Sequence, residues 1–382
     1  MFNKNLARIK PSASMKTGLA EGGPVATNLA IGVPDIMPPA AIADLIKAGA
    51  QEYKLSYVPS KGTKKALNNL KQLVFENETG IDPDKHLQLV SGAKYGIYLT
   101  LKTLCSEGDN VLLMQPYWLS YPEIVHALGL NFHTWDPVVD ADGRIEFDID
   151  ELERLVREHN IKVLVLNNPN NPAGKVFGAT WQYKLNEILQ KYGAWMLIDE
   201  VYRELVFDPA VAGDFIVSAD NVVRVGSLSK SLSIPGLRLG YIYGPENFTR
   251  NADLFNQHIQ TCINSLSCYV IENLDGALFH NFARQCATVY QQRFDIISAA
   301  FAGSGLGLLH SDASFYSLVD MGKYFESGEK ACEYLSEKLH INAVPGAPYG
   351  KDFASYIRIC LTLPNDQLKE KLEFIANNLP VL

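Results

Sequence analysis

Between Leu87 and Val225 the chain repeats one rhythm: a short apolar run, a loop of Gly, Pro or Asn, then a helical pattern. Residues 87–90, 110–114, 163–166, 195–198 and 222–225 read as strands. Residues 94–105, 121–128, 148–159 and 181–192 read as helices between them. Strands that are apolar along their whole length are buried on both faces. The rhythm therefore predicts an α/β domain of three layers, a mostly parallel sheet with helices on either side. Asp148 is placed to cap its helix, with Leu152, Leu155 and Val156 turned inward. In open sheets of this kind ligands bind beyond the carboxyl ends of the strands. The loops at Gly92, Tyr117, Asn171, Asp199 and Lys230 all follow strands, so they are expected to meet at one site.

The flanks read differently. Residues 1–38 look like an extended arm, and Pro38-Pro39 open a helix over 40–54, followed by another over 64–78. Beyond residue 275 a long amphipathic helix runs through Phe279, Phe282, Cys286, Tyr290 and Ile297 and ends at a glycine cluster, 303–307. Strands over 315–321 and 356–361 and helices over 330–339 and 366–379 then make a smaller α+β unit. The expected division is an arm (1–38) contributing to the small domain, a large domain (39–275) and a small C-terminal domain (276–382). With 34 Lys and Arg against 42 Asp and Glu, the net charge of −8 argues against a nucleic-acid or anionic-membrane partner. The six cysteines lie far apart without Cys-x-x-Cys or zinc spacing. They read as core residues of a cytoplasmic protein that holds no metal. No run approaches the roughly 20 apolar residues of a membrane span.

One stretch, Val225-Gly-Ser-Leu-Ser-Lys-Ser-Leu-Ser-Ile-Pro-Gly-Leu-Arg-Leu-Gly-Tyr241, sets Lys230 just past a strand, with Ser227 before it and Arg238 eight residues on. A lysine that forms a Schiff base needs a closed pocket in which burial favours the neutral amine. Hydroxyls and an arginine nearby suit a phosphate. Taken alone, the stretch reads equally well as a Ser-rich surface loop.

The other strand-end loops carry the groups such a site requires. A pyridine ring that accepts electrons must stay protonated, so a buried carboxylate should face it, and Asp199 stands at the mouth of its strand. Tyr202, three residues on, shares that face if a helical turn follows. Asn171 in Asn-Pro-Ala-Gly offers an amide, although turn chemistry alone would also explain it. Gly92-Ala93-Lys94 at a helix start supplies free N–H groups for phosphate, with Ser227 and Arg238 adding a hydroxyl and a bidentate charge. Trp118 sits on a post-strand loop from which a ring could stack, though most tryptophans are simply core.

The ordered set Tyr57-Val-Pro-Ser-Lys-Gly62, Gly92-Ala93-Lys94, Pro116-Tyr117-Trp118, Asn171-Pro172-Ala173-Gly174, Asp199-Glu-Val-Tyr202, Ser227-Leu-Ser-Lys230 with Arg238, and Tyr356-Ile-Arg358 resembles the class I, aspartate aminotransferase-like enzymes of fold type I. Ala173 and Tyr95 depart from it, standing where those enzymes often have Thr and Gln. The resemblance implies pyridoxal 5′-phosphate as cofactor and a transaminase acting on an L-amino acid and a 2-oxo acid. A lyase, decarboxylase or biosynthetic cyclase on the same fold is the alternative. It implies that Lys230 carries the cofactor and moves the substrate proton, that Asp199 holds the pyridinium, and that Tyr202 and Asn171 bind the ring oxygen. It further implies that Trp118 stacks on the ring, and that Gly92, Ala93, Lys94, Ser227 and Arg238 hold the phosphate. Arg358 would clamp the substrate α-carboxylate, Gly32 would lie in a segment closing over substrate, and Tyr57 would reach the neighbouring subunit of a homodimer. Lys94, with Ser12 in Lys10-Pro-Ser-Ala-Ser14, would favour an acidic substrate. Tyr95, Tyr117 and Trp118 could instead line a pocket for a neutral or aromatic one.

Overall fold

Seven strands form the main sheet: β1 (Leu87–Val90), β2 (Asn110–Met114), β3 (Asn131–Trp135), β4 (Ile161–Asn167), β5 (Trp195–Asp199), β6 (Val222–Ser227) and β7 (Gly240–Tyr243). A computed structural model of the protein describes residues 3–13, 27–53, 55–212 and 219–380. The spatial order is β1-β7-β6-β5-β4-β2-β3. β2 to β6 run parallel, and β7 is antiparallel to both of its neighbours.

Alternation along the strands builds the three layers. Val111, Leu113, Val163, Val165, Leu197, Val223 and Val225 face one side, toward α3 (Ala93–Leu104), α4 (Tyr121–Ala127) and α7 (Glu246–Ile259). Leu112, Met114, Leu164, Leu166, Met196 and Ile198 face the other, toward α5 (Ile149–Glu158) and α6 (Ala179–Lys191). Asp148 caps α5, its Oδ1 accepting from Asp150 N at 2.9 Å.

α1 (Ala40–Glu52) and α2 (Lys64–Val74) pack with α8 (Ser265–Asn273). The smaller domain is an antiparallel sheet of β8 (Gly307–Leu308), β9 (Tyr316–Asp320), β11 (Tyr356–Cys360) and β10 (Val344–Pro345), in that order. It is covered by the long α9 (Gly276–Phe301), α10 (Gly328–Leu339) and α11 (Asn365–Asn377). Thr27–Asn28 of the arm pairs in parallel with Ile341–Asn342. No helix among the described residues is long and apolar enough to cross a membrane, and their acidic and sulfur ligands form no metal-binding cluster.

The structure corrects the sequence pattern in places. β3 and β7 are not announced by it: β3 is a half-exposed edge strand with a polar run, and β7 begins on a glycine directly after a loop. Nor does the pattern announce α7 and α8. α2 stops at Val74 rather than at 78, because Phe75 leaves the helical conformation. Glu78 is thereby released to a buried charge network. Its Oε2 accepts from Arg224 Nη1 at 2.6 Å and its Oε1 from Arg203 Nη2 at 3.1 Å. Glu200 takes the other side of Arg224 at 2.9 Å and the Tyr241 hydroxyl at 2.8 Å. Burial pushes the Glu200 carboxyl up, but Arg224, Arg203 and Tyr241 outweigh it and hold the group below the usual range.

Removing one partner of such a matched buried set leaves a charge uncompensated. Glu200→Ala is therefore expected to destabilise the fold by about 3 kcal/mol. The check is the midpoint of urea unfolding; an unchanged midpoint would show that the network contributes nothing.

Candidate active site

A cavity of about 430 Å³ opens where the carboxyl ends of β4, β5 and β6 meet β9 and β11 of the small domain. Asp199, Lys230, Asn171, Tyr202, Arg358, Lys94, Ala93, Trp118, Ser227, Arg238 and Gly32 all line it. Strand-end loops separated by more than a hundred residues are thus brought to one place.

Asp199, the last residue of β5, is buried. Its Oδ2 accepts from the Tyr121 hydroxyl at 2.6 Å and its Oδ1 from Val201 N at 3.2 Å. Burial is the larger influence and raises the carboxyl to about 6 in spite of these bonds. Asn167, at the end of β4, donates to Asp199 O at 3.0 Å and accepts from Asn171 N at 2.6 Å, so the two loops are stitched together. Asn171 Nδ2 reaches the Tyr202 hydroxyl at 3.4 Å, and that hydroxyl lies 3.2 Å from the Tyr316 hydroxyl. Asn171 Oδ1 is buried without a hydrogen-bond partner among the described residues.

The phosphate-type cradle is built by close backbone approach. Gly92 has φ 85°, and a Cβ there would lie 2.4 Å from Arg238 Nη2. Gly240 pairs with Val90 on one side and Ser227 on the other. A Cβ on Gly240 would meet the Ala93 nitrogen at 2.7 Å. The α3 N-terminus, Ser227 and Arg238 are thereby gathered around one point. Ser227 Oγ donates to Leu239 O at 2.6 Å and accepts from Ser229 N at 3.0 Å. Lys94 stands at the mouth with its Nζ 4.8 Å from the Trp118 ring centre; burial, then Arg238, lower its affinity for a proton.

Lys230 Nζ donates to Gly32 O at 2.6 Å. Burial lowers the amine to about 8, with Arg358 and Arg238 acting in the same direction. Arg358 is buried, donates to Ala30 O at 2.7 Å and lies 4.5 Å over the Tyr316 ring. Its Nε has no hydrogen-bond partner, and no carboxylate pairs with it, among the described residues. The buried Arg224 and Arg293 do have carboxylate partners. A buried guanidinium without a carboxylate partner, an orphaned Asn171 amide oxygen and a cradle that one Cβ would fill together fit a phosphorylated pyridine aldehyde and an amino acid.

The protein-family model for aminotransferase class I and II matches residues 24–375. The chain belongs to that family. Such enzymes transfer amino groups with pyridoxal 5′-phosphate, so this chain is a transaminase and the lyase alternative is not favoured. The bifunctional aspartate aminotransferase and glutamate/aspartate-prephenate aminotransferase of Petunia hybrida is 26% identical, the match covering 98% of this chain and 83% of the relative. The probable aspartate/prephenate aminotransferase of Aquifex aeolicus is also 26% identical, over 91% of this chain and 89% of the relative. The solved Thermus thermophilus aspartate aminotransferase with maleate superposes with a TM-score of 0.89 at 22% identity, over 99% of both chains, which shows the shared fold.

Not every expected residue of this aminotransferase lies at the cavity. Tyr57 is 85% exposed and outside it. Gly92 stands behind Arg238 rather than at the wall. Ser12 does not line the cavity, and Ser14 of the same motif lies outside the described residues. Tyr202 sits in a turn just before a short 3₁₀ segment, not on an α-helical face, yet its hydroxyl still arrives beside Asn171. Tyr95 turns away, donating to Asn256 Oδ1 at 2.9 Å, and Tyr117 does not line the cavity either. Sequence reasoning missed Tyr121, Asn167 and Tyr316. For Asn167, the Asn-Asn-Pro-Asn-Asn run at the end of a strand was an available signal.

The Tyr121 hydrogen bond favours the charged form of Asp199. Tyr121→Phe should therefore move the Asp199 titration upward by about one pH unit or more. The infrared band of a neutral buried carboxyl should disappear around pH 6 in the cofactor-free wild type and later in the variant. The sign for stability follows. The unfolded group titrates at about 4, so its contribution is fullest below that and is lost as pH rises through about 6. An identical titration in both proteins would show that Tyr121 does not act on Asp199.

Proposed function

We propose that this enzyme exchanges the amino group of an acidic L-amino acid, aspartate or glutamate, with a 2-oxo acid. The observation that carries the reading is one cavity holding a lysine amine lowered to about 8, a buried carboxylate and a buried arginine without a carboxylate partner. Pyridoxal phosphate, when bound, supplies a carbonyl carbon for the lysine and an electron-accepting ring. Asp199 would keep the ring nitrogen protonated, and a cation placed there would in turn relieve the buried carboxylate. Asn171 and Tyr202 would hold the ring oxygen, and Trp118 would cover a face. Gly92, Ala93, Lys94, Ser227 and Arg238 would hold the phosphate; Ser227 would first have to turn its proton from Leu239 O. Lys230, neutral above about pH 8, is both the point of attachment and the base that moves the substrate proton. Arg358 binds the α-carboxylate with two parallel donors, a geometry that suits guanidinium.

For the side chain, Lys94 at the mouth favours a second carboxylate. Of the three residues in the neutral-pocket reading, Trp118 lines the cavity while Tyr95 and Tyr117 do not, so that reading has the weaker support. The names of the relatives, aspartate and aspartate/prephenate aminotransferases, point the same way.

The test compares kcat/KM for aspartate, alanine and phenylalanine in wild type and Lys94→Ala. Losing a charge-assisted hydrogen bond should cost aspartate about tenfold or more, with alanine and phenylalanine little changed. An equal fall for all three would assign Lys94 to phosphate alone. Lys230→Ala should lose both turnover and the borohydride-fixed label on that residue. A variant that still turns over would refute the assignment.

The exposed Tyr57 supports a homodimer in which each subunit lends its Tyr57 to the partner's phosphate cradle. Light scattering should show a dimer during turnover, and Tyr57→Phe should weaken cofactor retention. An active monomer would overturn this arrangement.

A further inference from the structure

Residues 29–35 cross the cavity as a strap. At one end Leu29 O accepts from Cys360 N at 2.8 Å, and Leu29 N donates to Asn342 O at 2.9 Å. In the middle, Ala30 O and Gly32 O accept from Arg358 and Lys230, and Ile31, Gly32 and Val33 form the cavity wall. Gly32 lies so close to Tyr316 that a Cβ would stand 1.9 Å from its hydroxyl oxygen. The far end is held by an ion pair. The two carboxylate oxygens of Asp35 accept from Arg293 Nη1 and Nη2 at 2.7 and 2.8 Å. Arg293, nearly buried on α9, also donates to Leu361 O at 2.9 Å and to Asn365 Oδ1 at 3.1 Å. One guanidinium thus joins the strap to the end of β11, the strand that carries Arg358, and to the start of α11.

We propose that Asp35 and Arg293 are positioning residues, a latch that holds the strap in its substrate-binding place. Neither side chain lines the cavity. The reason a latch is needed lies in the middle contacts. Ala30 O and Gly32 O accept from Arg358 and from the Lys230 amine, the groups that substrate and cofactor would engage, so these bonds cannot hold the strap once those groups are taken up. The Asp35–Arg293 pair lies beyond the site and stays made throughout. Weakening it lowers the fraction of molecules whose strap is in place, and apparent affinity falls by that fraction. Saturating substrate restores the closed arrangement, so the maximal rate is kept.

The functional half of this proposal rests on the aminotransferase reading, and the experiment separates the two. Asp35→Asn keeps the side-chain size but cannot accept both guanidinium donors. Hydrogen exchange at the amides of residues 31–33 should speed up by at least about tenfold, toward the rate of an unprotected loop, and KM for the amino donor should rise about tenfold, as it does when the strap is in place in only about a tenth of the molecules. The kcat should stay within about threefold. Asn365→Ala removes a different partner of Arg293; it should leave exchange in the strap and KM unmoved, which a merely structural role for Arg293 would not. Should Asp35→Asn fail to fold, Arg293→Lys keeps the charge without the paired contact and carries the same comparison. Unchanged exchange in the strap, faster exchange with an unchanged KM, or an equal rise in KM for Asn365→Ala overturns the latch. A wild type that transaminates no amino acid would instead sink the aminotransferase reading, with hydrogen exchange still deciding whether the pair holds the strap.

Discussion

A carboxylate sealed at the end of a central strand is the constraint on which the site depends. Asp199 is largely withdrawn from water, and its two hydrogen bonds do not offset the loss of hydration, so its proton affinity rises. The next residue has the opposite fate. Glu200 is equally buried, yet two arginines and a tyrosine hold it ionised. Adjacent residues leaving a strand point to opposite faces, so the same backbone delivers one acid to a finished structural network and the other to a cavity where its compensation is incomplete. The second is the one that gains from a bound cation.

The cations divide in the same way. Arg224 and Arg293 have carboxylates at 2.9 and 2.7 Å, whereas buried Arg358 has no carboxylate partner among the described residues and donates to a carbonyl beside two aromatic faces. Lys230 likewise faces a carbonyl, and burial pushes its amine toward neutrality. Uncompensated charge is costly, and proteins tolerate it mainly where a ligand completes it. Here a carboxylate, an amine and a guanidinium left incomplete all line one cavity. The chemistry of that cavity is thus marked by what its residues lack as much as by what they hold.

The sheet and most of the site were legible because both obey local rules. Apolar runs of four residues mark β2, β4 and β5, three valines around Arg224 mark β6, and the residues just after these strands face the ligand. What could not be read depends on contacts distant in sequence. Tyr121 lies 78 residues from the carboxylate it holds, and Asp35 lies 258 from Arg293. No periodicity carries such pairings. The polar pattern of α2 continues through Glu78, but the helix ends at Val74 and Glu78 pairs instead with Arg224, a partner distant in sequence. Tyr57 is legible only through the family resemblance, since contacts within the single chain do not explain its exposure.

β7 shows why a short strand that the pattern hides can still govern the site. Lys230 and Arg238 are eight residues apart, and both reach the cavity. Lys230 follows the carboxyl end of β6, while Arg238 precedes the amino end of β7. Only an antiparallel β7 places those two ends on the same edge of the sheet, and Gly240 is indeed paired with Ser227 and Val90, the last residues of β6 and β1. Had β7 run parallel to β6, its start would lie at the opposite edge, roughly 10 Å or more away at about 3.3 Å per residue. The connecting loop would then have to cross the sheet, and Arg238 could not stand against Gly92. The close approach at Gly240, where a Cβ would strike the Ala93 nitrogen, is the local cost of bringing that reversed strand against the helix terminus. The reversal is thus what lets one short loop deliver both the amine and the guanidinium, and it is why that loop needs glycine where it rejoins the sheet.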